Sequence, residues 1–91
     1  MPSGYRYILD CVVVENLLRL PLRERDFSVT VFRRLEGDPY QKGESNFHDP
    51  SGREIQRKQF SAWVVLFWSD HAVKEVRIVG VQRLRRPGKT P

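Results

Sequence analysis

Five basic side chains are spaced as strand residues able to grip a phosphate backbone. Arg53, Arg57 and Lys58 lie in one polar stretch, and Arg77 and Arg83 lie in another. Alternate residues of a strand share a face, so Arg53 and Arg57, four apart, are expected to point one way. Arg77 and Arg83, six apart, are expected to share a face as well. A register that brings both rows onto one face makes a cationic strip able to hold several phosphates, with a steep dependence on salt. Trp63 and Trp68 lie between the two rows in sequence. An exposed indole gives a base-stacking surface worth ~1–3 kcal/mol per base, although packing in the core or at its rim is the commoner use of tryptophan. Arg85 and Arg86, in a basic tail at residues 85–91 that contains Pro87 and Gly88, are two further candidates for nucleic-acid contact.

Such a surface can do chemistry without a metal. Cutting RNA through its 2′-hydroxyl needs a group that takes the hydroxyl proton, a cation beside the pentacoordinate phosphate and an acid for the departing 5′-oxygen. Arg57, Lys58, Arg77 and Arg83 are the candidate catalytic cations. His48, Asp49 and Glu54 are nearby residue types able to act as base, though a surface histidine in a turn is the plainer reading of His48. Spacing alone does not choose among them. The chain has no phosphate-binding glycine loop, no dinucleotide fingerprint, no HExxH helix and no serine-hydrolase elbow. Its single cysteine, Cys11, excludes an intrachain disulfide and a cysteine-rich zinc site, and among valines it reads as a small buried hydrophobe. No metal and no cofactor are expected.

The elements that must position these residues follow from periodicity and punctuation. With 91 residues, 40% hydrophobic and 30% charged, one domain with a modest core is expected. Residues 5–9 alternate as a half-buried strand. Residues 12–20 open with three valines, which favour a strand, but Asp10 can cap a helix and Val13, Val14, Leu17 and Leu18 recur at helical spacing. A short helix is the reading, ending before Pro21. In residues 21–36, Phe27, Val31 and Leu35 recur at i, i+4 and i+8, with Phe32 beside them, and Gly37 and Pro39 supply the stop. This predicts a second helix, hinged on the first at Leu20-Pro21. Residues 37–52 are rich in turn formers and read as a loop. Residues 53–60 read as a polar edge strand. Residues 62–68 are apolar on both faces, as a central strand requires. Ser69-Asp70-His71 makes the turn into a third strand at residues 73–84, with Val76 and Ile78 on one face and Val79 and Val81 on the other beside Arg77 and Arg83. The expected fold is α+β, in the order β-α-α-β-β-β, with an N-terminal strand and a two-helix hairpin packed on a twisted antiparallel sheet.

The net charge of +5 favours a polyanionic partner: nucleic acid, an acidic protein segment or a membrane surface. Charge alone does not choose among these. No run of 18 apolar residues is present, and Arg6, Asp10 and Glu15 interrupt the N-terminal apolar stretch, so neither a membrane span nor a signal peptide is expected and the cytoplasm is the expected location.

Residues 16–84 resemble the RelE/ParE superfamily of type II toxin–antitoxin toxins. The resemblance is carried by Leu17-Leu18-Arg19-Leu20-Pro21, by Phe32-Arg33-Arg34-Leu35-Glu36-Gly37-Asp38-Pro39, by Ser51-Gly52-Arg53, by the strand from Trp63 to Trp68 with Asp70 at its turn, and by Val76-Arg77-Ile78-Val79-Gly80-Val81. It implies two helices against a twisted sheet, and a cytoplasmic toxin neutralised by a cognate antitoxin encoded in a neighbouring gene. It implies inhibition of translation by ribosome-dependent mRNA cleavage. The alternatives on the same fold are a ParE-like inhibitor of DNA gyrase and a non-catalytic module that binds nucleic acid or an acidic peptide. RelE-like nucleases often carry an arginine early in the central strand, in a Tyr-Arg-Val context, where this chain reads Ala62-Trp63-Val64. They also often carry a histidine or tyrosine after the last strand, where this chain reads Gln82-Arg83-Leu84-Arg85-Arg86.

Overall fold

The computed structural model describes residues 4–84. The tail, with its two nucleic-acid candidates Arg85 and Arg86, lies outside the described residues. The order is β1 (Arg6–Leu9), α1 (Cys11–Leu18), α2 (Leu22–Gly37), β2 (Ser45–His48), β3 (Glu54–Phe60), β4 (Trp63–Asp70) and β5 (Glu75–Arg83). The five strands form one sheet in the order β1-β5-β4-β3-β2.

The α+β architecture agrees with the sequence reading, with two additions. First, β2 forms inside the stretch expected to be loop and pairs antiparallel with β3. This moves β3 from the edge into the sheet. Second, β1 lies parallel to β5, pairing Arg6 with Glu75 and Leu9 with Ile78, so the sheet is mixed. The remaining pairs are antiparallel.

Both helices pack on one face. Val13 and Leu17 of α1, and Val31, Phe32 and Leu35 of α2, meet Trp63, Val65, Phe67, Val76, Ile78 and Val81 in the core. The buried stripe of α2 runs through Ser28, Val31, Phe32 and Leu35, at the i, i+3, i+4, i+7 spacing of a core-facing helix. Phe27, expected in that stripe, is instead 38% exposed. Pro21 stands at the start of α2, where its missing N–H goes unneeded. The Arg25 guanidinium reaches back from α2 and donates to the carbonyls of Leu17, Leu18 and Leu20, which caps the end of α1 and closes the hairpin. Cys11 is exposed, not buried, because it lies two residues, about 200° around the helix at 3.6 residues per turn, from the buried Val13. On the sheet edge, the Tyr7 N–H donates to the Glu36 carboxylate at 3.1 Å, which covers a strand donor and ties β1 to α2.

One irregularity decides where the basic residues point. Leu66 pairs with Gly80, but its neighbour Phe67 pairs with Ile78, so Val79 is an extra residue in β5. A bulge of this kind reverses the facing of everything beyond it, relative to simple alternation. Val81 therefore joins Val76 and Ile78 on the helix face, not Val79 on the other.

Candidate nucleic-acid interface

The bulge splits the expected cationic strip. Arg77 pairs with Trp68 and lies on the face away from the helices, whereas Arg83 pairs with Trp63 and lies on the helix face. On β3, Arg57 pairs with Leu66 and shares the far face with Arg53, as their spacing requires. Lys58 pairs with Val65 and shares the helix face. Two clusters result, at opposite ends of β4. Trp63 and Trp68 are five residues apart along that strand, about 17 Å at the usual rise.

At the first end, Trp63 is nearly buried on the helix face, flanked across the ladder by Phe60 of β3 and Arg83 of β5. The Arg83 guanidinium lies 5.6 Å from the Trp63 ring centroid, and the Lys58 ammonium lies 5.8 Å from that of Phe60. Arg83 also contacts the Glu24 carboxylate, which projects from the first turn of α2. Lys58 and Arg57 have no ion-pair partner among the described residues, so their charge is available to an incoming anion.

At the second end, cations and acids interlock. The Arg53 guanidinium lies 4.2 Å from the Trp68 ring centroid and 3.9 Å from the Asp49 carboxylate. Arg77 lies 3.7 Å from Glu75, which also meets Arg6 at 3.7 Å. A polar hollow between these groups is lined by Asp10, Arg53, Trp68, Asp70 and Arg77. Beside it, three aromatic rings from distant segments converge. The rings of Tyr40 and His71 stack with centroids 4.5 Å apart and planes at 9°. Tyr5 stands edge-on to both, and its hydroxyl meets His71 Nδ1 at 2.7 Å. The neighbouring Tyr40 hydroxyl pushes the Tyr5 phenol above its ordinary value. Spacing gave no sign of this cluster, because its members come from the approach to β1, the loop after α2 and the β4–β5 turn.

The candidate bases fare differently. Asp49 Oδ1 accepts hydrogen bonds from the Ser51 hydroxyl and from the N–H groups of Ser51 and Arg53. The Ser51 hydroxyl is the chief cause that holds this carboxyl below its usual range. Asp49 is thus engaged in shaping the β2–β3 turn. Glu54 accepts from the Gln56 amide at 3.2 Å. His48 is exposed on β2. Among the described residues, no three His, Cys, Asp or Glu side chains group closely enough to hold a metal ion, and no helix is long and apolar enough to cross a membrane.

No family model matches the chain, and no curated protein matches it in sequence. Solved structures do resemble it. The toxin–antitoxin complex RelBE2 of Mycobacterium tuberculosis superposes with a TM-score of 0.73 at 18% identity, covering 91% of this chain and 99% of that one. The archaeal RelE–RelB complex of Pyrococcus horikoshii gives 0.68 at 17% identity, over 94% of this chain and 98% of that one. The isolated RelE toxin of Escherichia coli gives 0.71 at 13% identity, over 93% and 89%. Across nearly its whole length, the chain has the fold of the RelE toxins.

Proposed function

We propose that the protein is the toxin of a type II toxin–antitoxin pair and that it acts on translation by cutting mRNA at the ribosome. The observation that carries this reading is a RelE fold with two cations, Lys58 and Arg83, seated on aromatic rings at the Trp63 end of β4. Lys58 and Arg83 are the groups to hold the scissile phosphate, and a guanidinium aimed at the pentacoordinate phosphate supplies the main electrostatic stabilisation. The contact between Arg83 and Glu24 is one that a phosphate oxygen can replace. In this reading Glu24, so released, accepts the 2′-hydroxyl proton, and the Lys58 ammonium gives one to the departing 5′-oxygen.

The antitoxin needs a surface as well. Val14 and Leu18, one turn apart on α1, and Leu22 at the start of α2 are exposed on the helical hairpin and are the apolar side chains we assign to a partner helix. A charge introduced by Leu18→Glu is expected to release the antitoxin while leaving the toxin folded, since Leu18 is exposed.

Inducing the gene without its antitoxin is expected to arrest bacterial growth, and primer extension on host mRNA is expected to show cuts in the ribosomal A site. Arg83→Ala should lower cutting by ~10²-fold or more, the usual loss for one oxyanion-stabilising group. Growth arrest without cuts rejects the nuclease reading, and no arrest rejects the toxin reading. A second reading has one observation in its favour. Trp63 stands buried where RelE-like nucleases often carry arginine, which suits a ParE-like inhibitor of DNA gyrase or a non-catalytic module. Cleavage complexes on supercoiled DNA would decide for the gyrase target.

A further inference from the structure

The second end of β4 carries a cleft that the nuclease chemistry leaves unused. It has a volume of about 320 Å³ and lies between the loop at residues 39–42 and the adjoining ends of β3 and β4. That size is at the lower end of small-ligand sites. We propose that this cleft binds an unpaired nucleotide, its base stacked on Tyr40 and its phosphate held by Lys42 and Arg53.

Four observations support the assignment. The aromatic platform is built before any ligand arrives, since Tyr40 is stacked on His71 and His71 is pinned by the Tyr5 hydroxyl. Tyr40 is nonetheless 68% exposed, so a second ring can stack against it. The loop that carries Tyr40 is fixed at both ends. Gln41 donates from its amide to the carbonyls of Arg34 and Asp38, the Ser69 hydroxyl donates to the Pro39 carbonyl at 2.6 Å, and the Gly43 N–H donates to Gln56 Oε1 at 2.9 Å. Next, the cleft has positive charge to offer. Lys42 has no ion-pair partner among the described residues, and Arg53 meets Asp49 only at 3.9 Å. Last, Trp68 lines the cleft, and its indole N–H is buried with no hydrogen-bond partner among the described residues. The indole thus borders whatever the cleft holds and reports on its occupancy. A stacking platform beside cations is the pattern by which proteins take single-stranded nucleic acid without reading its sequence. An acidic peptide would use the cations and leave the platform idle.

The site stands apart from the Trp63 end and rests on its own geometry, so its failure leaves the toxin reading intact. The chain has two tryptophans, and their indole N–H signals are separable in a ¹H–¹⁵N correlation spectrum of the whole protein. Titration with adenosine 5′-monophosphate is expected to move the Trp68 signal saturably while the Trp63 signal stays in place. Ribose 5-phosphate, which lacks the base, is expected to bind about tenfold more weakly, within the range a stacked base contributes. Tyr40→Ala should abolish that difference and Tyr40→Phe should keep it, while Arg53→Gln should weaken both ligands. A short oligoadenylate that binds more tightly than the mononucleotide identifies an RNA strand as the ligand, and equal affinity identifies the free nucleotide. Equal binding of the two phosphates to the unaltered protein overturns the proposal, as does movement of the Trp63 signal in place of that of Trp68. The absence of a saturable shift at millimolar nucleotide overturns it too.

Discussion

The two ends of β4 use the same residue types for different purposes. At the Trp63 end, the indole is core, with Lys58 unpaired and Arg83 held by Glu24 alone among the described residues. At the Trp68 end, the indole is only half-buried, and Arg53, Arg77, Asp49 and Glu75 neutralise one another. The first end therefore offers charge beside a packed indole, and the second offers a shaped, rigid surface with Lys42 as its unpaired cation among the described residues. Sequence alone cannot separate them, because both read as tryptophan with arginine nearby. Facing and pairing make the difference.

Substitution of the indoles tests this contrast most directly. Trp63→Ala should destabilise by about 3–5 kcal/mol, the usual loss for a large core aromatic, and chemical denaturation will measure it. Trp68→Phe should cost far less, because the lost indole N–H has no partner to leave stranded. Equal losses at the two positions would erase the distinction. The next effect is at Gly43, where an added Cβ would lie 2.2 Å from the Arg57 carbonyl oxygen. Gly43→Ala must push the Tyr40 loop off β3, at a cost of about 1–3 kcal/mol for overpacking, and should blunt nucleotide shifts at Trp68 before any at Trp63. A smaller contrast is expected between arginines. Arg77→Ala should reduce mRNA cutting much less than Arg83→Ala, since Arg77 is paired with Glu75 on the other face. Comparable losses would mean that both faces contribute to catalysis.

Smallest is a pH effect confined to the β2–β3 turn. The Asp49 carboxyl is lowered in the folded state, so its contribution is complete above its unfolded value near 3.8 and is lost as pH falls through the lower folded value. Amide exchange at Ser51 and Arg53 should quicken on acidification below that value, and Asp49→Asn should remove the dependence.

Much of the scaffold could be read in the sequence because its signals are local. Pro21 and Gly37 bracket α2, and the two-sided apolar run identifies β4. What escaped depends on partners far along the chain. β2 has one apolar residue in four and is a strand only because β3 offers it a ladder. The extra residue at Val79 looks like ordinary alternation until β4 is laid beside it, and that one residue sends Arg83 to the face opposite Arg77. Cys11 looks buried among valines, but the helix turns it outward. The Tyr5, Tyr40 and His71 cluster has no spacing to find, since three separate segments deliver it.

The parallel pairing of β1 with β5 has a consequence for synthesis. In the strand ladder, Arg6 pairs with Glu75 and Tyr7 with Val76. During translation the first strand and both helices emerge long before the strand they pack on, while β2, β3 and β4 can pair with neighbours as they appear. Closure of the long loop between β1 and β5 is an entropic step that local hairpins do not face. A chain stopped short of β5 therefore has no site for β1, no floor for α1 and no Arg83 beside Trp63. Both ends of the central strand are therefore assembled only once β5 has been made.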